Sequence, residues 1–229
     1  KIISKERGSS LAKKIDYEKA TPPERLNPDS LFQEGENTTH YSIIDKDGNV
    51  VSNTYTLGYS FGSGVTIPGT GILLDNQMNN FAYQHGNPEV IDRSASIGNK
   101  FEPGKRPMST MTPIIVFDKN NQLKLITGSP GGALIPAAVL RVVTGVIDFN
   151  LNLGEATMLP RLHKDWPYKN LRLEKGFSND TLKILQSYGH ELEESKTMGS
   201  TQSILISSKG KEGFADLRRP NAGVAIQID

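Results

Sequence analysis

The chain has 229 residues, which suits one large domain or two small ones. Its 26 Lys and Arg nearly balance 25 Asp and Glu, and no basic stripe interleaves with aromatics, so neither nucleic acid nor an anionic membrane surface is an expected partner. There is no Cys, which excludes disulfides, thiol nucleophiles and Cys-based zinc sites, and no run of about 18 apolar residues that could cross a bilayer. Residues 1–37 are polar, carry Lys13-Lys14, Pro22-Pro23 and Pro28, and lack sustained periodicity. They predict a solvated tail or linker with a short helix around Ser9–Ile15. The chain starts at Lys1 rather than Met, so a fragment or processed product is expected.

From Thr39 the pattern turns to β. His40–Asp45 and Val50–Leu57 alternate around Lys46-Asp47-Gly48-Asn49, a turn-forming cluster, and predict a hairpin with Thr38 at its mouth. Gly71–Asp75 is expected to be a further strand. Residues 83–107 hold Gly, Pro, Asn and Ser without periodicity and predict a long loop. Pro113–Asp118 and Leu123–Thr127 flank a second turn. Ala133–Ile147 is apolar enough for a buried helix, entered through Gly128-Ser129-Pro130-Gly131-Gly132. A short helix is expected over Leu153–Met158. A longer one covers Ser178–Tyr188, with Ser178 as N-cap and Gly189 as stop. Ser203–Ser207 predicts a late strand, followed by a turn at Lys209-Gly210-Lys211. Hairpins around apolar helices give an α+β layered domain.

The residues most suggestive of chemistry are Asn37-Thr38-Thr39-His40-Tyr41-Ser42. Taken alone, two Thr before a strand are β-branched strand residues. If the Asn37–Thr38 bond is cut, however, Thr38 carries a hydroxyl nucleophile and an amine base on one residue. The remaining blocks add weight: Thr54-Tyr55-Thr56-Leu57, Phe61-Gly62-Ser63-Gly64 and Gly71-Ile72-Leu73-Leu74-Asp75-Asn76-Gln77-Met78. Then follow Lys105-Arg106-Pro107-Met108-Ser109-Thr110-Met111, Thr127-Gly128-Ser129-Pro130-Gly131-Gly132 and Met198-Gly199-Ser200-Thr201-Gln202-Ser203. In that order, from about Thr38 almost to the C-terminus, the chain resembles the small subunit of the γ-glutamyltranspeptidases, self-cleaving N-terminal-nucleophile (Ntn) hydrolases.

The resemblance implies an αββα sandwich. It also implies that residues 1–37 are the end of a large subunit and that 38–229 form the catalytic domain. It makes Asn37–Thr38 the cleavage site, with Thr38 as nucleophile and Thr56 as its hydrogen-bonding neighbour. Gly131 and Gly132 are the oxyanion candidates, because two successive amides without side chains can face one developing charge. No Gly-Lys-Ser/Thr follows them, which argues against a phosphate-binding Walker loop. Ser129 does not sit in a Gly-x-Ser-x-Gly elbow, since position 127 is Thr. By resemblance, Ser109 and Thr110 contact the α-carboxylate of a γ-glutamyl group, and Gln77 helps hold its α-amino group. Residues 83–107 are expected to include an active-site lid.

Two departures from the family pattern bear on substrate. Asp75-Asn76-Gln77-Met78-Asn79-Asn80 usually ends in Asp-Asp, and the second carboxylate pairs with the substrate ammonium; here it is Asn80. A charge-assisted hydrogen bond is roughly twice as strong as a neutral one, so this loss weakens selection for a free α-amino group. Gly58 stands where many members place Asn. Both changes suit acyl groups without the amine, such as glutaryl, in the manner of the cephalosporin acylases. The expected reaction is nonetheless γ-glutamyl transfer to an amine or to water. The expected partner is the large subunit of the same precursor, the expected location is periplasmic or extracellular, and no cofactor is needed. An uncleaved binding domain is the competing class. His40, His85, His163 and His190 show no metal-ligand spacing, and Trp166 reads as packing or surface.

Overall fold

A computed structural model describes residues 4–22, 38–81, 99–164 and 169–227. The elements in chain order are α1 (Lys5–Ala12), β1 (Thr38–Ile44), β2 (Val50–Thr56), a 3₁₀ turn (Gln77–Asn80), β3 (Ile114–Phe117) and β4 (Leu123–Thr127). A second 3₁₀ turn (Gly132–Leu134) leads into α2 (Ile135–Ile147) and α3 (Leu153–Met158). There follow β5 (Leu162–His163), β6 (Asn170–Leu173), α4 (Asn179–Ser187), β7 (Glu191–Glu194), β8 (Gln202–Ser207) and β9 (Gly210–Ala215). The class is α+β. The chain divides into two compact units, one of Lys1–Pro28 with Leu162–Lys196, the other of Asp29–Arg161 with Thr197–Asp229.

The second unit holds the hairpin and a four-stranded antiparallel sheet ordered β3-β4-β8-β9. Strand alternation sends Leu125 and Leu205 to one face, where they meet Val142 and Val146 of α2 and Leu153 and Ala156 of α3. Ile126 and Ile204, paired across β4 and β8, take the opposite face, on the side where the hairpin packs. The layers are therefore hairpin, sheet and helices. Two hydroxyls rivet the first layer to the second: Ser42 Oγ donates to Gln202 O at 2.8 Å and Ser52 Oγ to Thr127 O at 3.0 Å.

The hairpin reverses the usual polarity of a half-buried ribbon. Its register pairs Thr38 with Thr56, His40 with Thr54 and Ser42 with Ser52, and these polar residues face inward. Tyr41, Ile43, Val51 and Tyr55 face outward, each 44–57% exposed. Asp45 sets the turn, its Oδ1 accepting the amides of Asp47 at 2.9 Å and Asn49 at 2.8 Å.

The smaller unit contains α1, the sheet β5-β6-β7 and α4. Ser4 caps α1 by accepting the Arg7 amide, so the helix starts and ends a turn earlier than expected. Ser178 caps α4 through the Thr181 amide, and Gly189 follows at φ +88°, as the sequence predicts. Asn152 and Glu155 form a reciprocal capping box that fixes α3 at its expected bounds.

Three further expectations change. Gly71–Asp75 is no strand; it contributes one isolated bridge, Thr66 to Leu73, and its Ile72 and Leu74 stay exposed. The helix expected from Ala133 begins as a 3₁₀ turn and becomes α at Ile135, with Pro136 in its first turn. The expected turn at residues 209–211 lies one or two positions earlier, and Gly210 already opens β9. Residues 83–98 of the expected loop, including His85, lie outside the described residues, as do Trp166 and Asn37.

Candidate active site

Thr38 opens β1 on its inward face and is 6% exposed, yet its Oγ1 has no hydrogen-bond partner. A buried hydroxyl left unpaired costs free energy of about 1–3 kcal/mol, which marks it as a group awaiting a partner. Its carbonyl accepts from Arg219 Nη1 at 3.2 Å. A cavity of about 420 Å³ opens beside it, lined among others by His40, Pro130, Ser200, Gln202 and Arg219. Thr56 sits directly across the ladder, but its expected hydrogen bond to the Thr38 hydroxyl is not formed, since Thr38 Oγ1 has no partner; Thr56 Oγ1 accepts the Gly58 amide at 2.9 Å.

His40, two residues on, lies on the same face and is buried. Nδ1 meets Thr54 Oγ1 at 2.8 Å and Nε2 meets Ser42 Oγ at 3.1 Å. Ser42 gives its one hydroxyl hydrogen to Gln202 O, so it must accept from His40. Nε2 therefore carries the proton and Nδ1 accepts from Thr54. Burial lowers the imidazole from its ordinary 6.5 to about 4, so the ring is neutral at physiological pH. The ring lies on the Cα of Gly128, where any Cβ would overlap it. Sequence reasoning gave His40 no role; the period-2 alternation that placed Thr38 inward places His40 there too.

The glycine turn reaches the site through Pro130. Gly131 and Gly132 have φ of +136° and +60°, conformations open to glycine and strained for other residues. A Cβ on Gly131 would stand 3.0 Å from Gly199 Cα, so two backbones meet here. Ser129 is fully buried and holds this junction: its Oγ donates to Pro130 O at 2.6 Å and accepts the Ser200 amide at 2.9 Å. A structural hydroxyl fits the sequence argument against a serine nucleophile. Beneath it, Asp216, fully buried, accepts from Arg161 Nη2 at 2.7 Å, Arg218 Nη1 at 3.2 Å and the Thr201 amide at 3.0 Å. Arg161 Nη1 also donates to Met198 O at 2.6 Å. This network props residues 198–201 against the glycine turn.

The expected substrate residues stand on two segments. Gln77 and Asn80 form the first 3₁₀ turn, and Gln77 Nε2 donates to Thr56 O at 2.9 Å. That bond leaves Oε1 as the acceptor an ammonium would need. Ser109 is exposed and accepts the Met111 amide, while Thr110 Oγ1 donates to Gly132 O at 3.0 Å. Gly58 has φ +86°, and a Cβ there would fall on the Asn76 carboxamide, which itself accepts the Tyr59 amide. The glycine is thus tied to Asn76. Among the described residues no three His, Asp or Glu cluster to hold a metal, and no helix is long and apolar enough to cross a membrane.

A layered α+β domain whose leading strand presents an unpaired, buried threonine hydroxyl has the build of an N-terminal-nucleophile hydrolase. The gamma-glutamyltranspeptidase family model matches residues 1–226, and the chain belongs to that family. It is 44% identical over 211 residues to the glutathione hydrolase proenzyme of Escherichia coli, covering 92% of this chain and 36% of that protein. The chain thus spans little more than a third of that relative. Among solved structures, a threonine-to-alanine mutant of Helicobacter pylori gamma-glutamyltranspeptidase aligns with TM-score 0.71 and 41% identity, over 79% of this chain and all of that one. Cephalosporin acylase from Bacillus halodurans aligns with TM-score 0.75 and 27% identity, over all of this chain and 39% of that one.

Proposed function

We propose that residues 38–229 are the nucleophile-bearing domain of a self-processing γ-glutamyltransferase or hydrolase, and that residues 1–37 end its large-subunit region. The observation that carries this reading is the Thr38 hydroxyl, buried and unpartnered, on a residue that lines a cavity and pairs with Thr56 across the ladder. In the precursor, Thr38 Oγ1 attacks the Asn37 carbonyl carbon. The peptide nitrogen leaves in an N-to-O shift, and water hydrolyses the resulting ester. The freed α-amine then takes the hydroxyl proton as Oγ1 attacks the γ-carbonyl of a donor such as glutathione. The Gly131 and Gly132 amides face the oxyanion, the leaving amine recovers the proton, and water or an acceptor amine releases the acyl group. Gln77 and Asn80 take the donor's amino end, and Ser109 and Thr110 its carboxylate.

The partner is the remainder of the precursor. The outward apolar face of Tyr41, Ile43, Val51 and Tyr55 is the surface it would cover, supplying the outer helical layer of an αββα sandwich. A periplasmic or extracellular setting accompanies this reading. The neutral Asn80 removes one requirement for a free α-amino group, so glutaryl amides are the donor against which γ-glutamyl selectivity is measured.

The test is an intact-mass time course on full-length precursor beside Thr38→Ala. Cleavage between Asn37 and Thr38 in the first alone supports the reading; an intact, well-folded precursor in both would end it. Among cleaved enzymes, Asn80→Asp should raise the kcat/KM ratio of γ-glutamyl over glutaryl p-nitroanilide by about tenfold, the worth of about one charge-assisted bond. An unmoved ratio would remove Asn80 from substrate selection.

A further inference from the structure

The residues expected around the donor hang on one hydrogen-bonded circuit. Gln77 Nε2 fastens the first 3₁₀ turn to the nucleophile hairpin at Thr56 O, 2.9 Å away. Thr110 Oγ1 fastens the Ser109–Thr110 segment to the glycine turn at Gly132 O, 3.0 Å away. Between these two stands Asn99. Its Nδ2 donates to Asn80 O at 2.6 Å, and its Oδ1 accepts the Met108 amide at 3.1 Å. One planar carboxamide thus joins the main chain at Asn80 to the main chain next to Ser109. The task needs a donor and an acceptor on one short side chain, which a carboxylate cannot supply. A second contact clamps the same segments: Phe81, 2% exposed, meets Phe101 edge-on with ring centroids 5.3 Å apart.

We propose that Asn99 is a positioning residue that sets the distance between the amino-end group, Gln77 and Asn80, and the carboxylate-end group, Ser109 and Thr110. It touches neither the reacting carbonyl nor Thr38, so it governs donor binding rather than bond breaking. The assignment rests on the donor site described under Proposed function. In Asn99→Asp a carboxylate oxygen replaces the donor that faces Asn80 O, and attraction becomes repulsion. The two groups then separate, and a donor that must reach both loses contact with one. Displacements of about 1 Å in such sites cost up to about a hundredfold.

The experiment compares full-length wild type, Asn99→Asp and Asn99→Ala by cleaved fraction, Tm, and kcat and KM for γ-glutamyl and glutaryl p-nitroanilide. The expected result is wild-type cleavage and a Tm near that of wild type. Donor KM should rise about tenfold in both variants, with kcat held within about threefold. Unchanged KM in cleaved variants overturns the proposal. So does a joint fall of cleavage, Tm and kcat, which would make Asn99 merely structural. A wild-type enzyme inert toward both donors would sink the donor-site reading and this proposal with it, whereas active wild type with unmoved variants sinks this proposal alone.

Discussion

Removing the Asp216 carboxylate should destabilise the domain strongly, because it strands two buried arginines. Asp216 is fully buried between Arg161, 3% exposed, and Arg218, whose side chain is 7% exposed. In Asp216→Ala the Arg161 guanidinium keeps the carbonyls of Met198 and Thr157, at 2.6 and 3.2 Å, and Arg218 keeps those of Thr157 and Leu159, at 2.8 and 2.9 Å. Those dipoles satisfy donors but neutralise no charge. Two buried cations are left facing an emptied site, and breaking a buried pair costs about 3–5 kcal/mol. For a domain of this size that lowers Tm by roughly 6–20 °C. Calorimetry on full-length precursor is the assay, with Thr38→Ala in every sample so that cleavage is not a second variable. Adding Arg161→Met to Asp216→Ala should restore at least about 1 kcal/mol, because the stranded charge is removed. A Tm within about 3 °C of the parent in Asp216→Ala would refute the argument.

Two further outcomes follow from geometry described above. His40 is held near 4 when folded against an ordinary 6.5, so the unfolded chain binds more protons between those values and stability declines as pH falls from about 6.5 to about 4. In a Tm-against-pH series, His40→Gln should flatten that limb; an equally steep limb would assign it to other groups. Gly58→Asn, which supplies the side chain many family members carry, should lower Tm by itself because it meets Asn76 at positive φ. Pairing it with Asn76→Gly should recover part of the loss, and no recovery would refute the steric coupling.

The legible parts of the fold were those whose cause is local. The Asn152–Glu155 capping box, the Ser178 cap and the Asp45 turn each lie within four residues of the groups they satisfy, and each element bound by them was foreseen. Strands β5, β6, β7 and β9 were not. Leu162–His163 is too short to show a period, and Gly210-Lys211-Glu212-Gly213 has poor strand propensity and becomes a strand only by pairing with β8. At the candidate site, the pairing of Thr38 with Thr56 and the place of the glycine turn before α2 were readable from strand alternation and turn chemistry. Asn99 was not, because both its bonds reach backbone 9 and 19 residues away and nothing in its own neighbourhood signals them. Arg219 likewise reaches Thr38 from 181 residues away.

The reversed polarity of the hairpin has a consequence for how the chain finds its native state. In an ordinary half-buried ribbon, slipping by one residue is punished because it exposes the apolar side. Here the same slip would bury Tyr41, Ile43, Val51 and Tyr55 and turn Thr38 out to solvent. Where nothing covers the outward face, the hydrophobic drive thus leans toward the misregistered hairpin, a compact trap with Thr38 turned to solvent. What opposes it is directional: the Asp45 turn, the two serine rivets, and the Thr54–His40–Ser42 relay, which fit one register alone. Fidelity at Thr38 is therefore set by hydrogen-bond geometry, and substitutions that weaken it should raise the misfolded fraction.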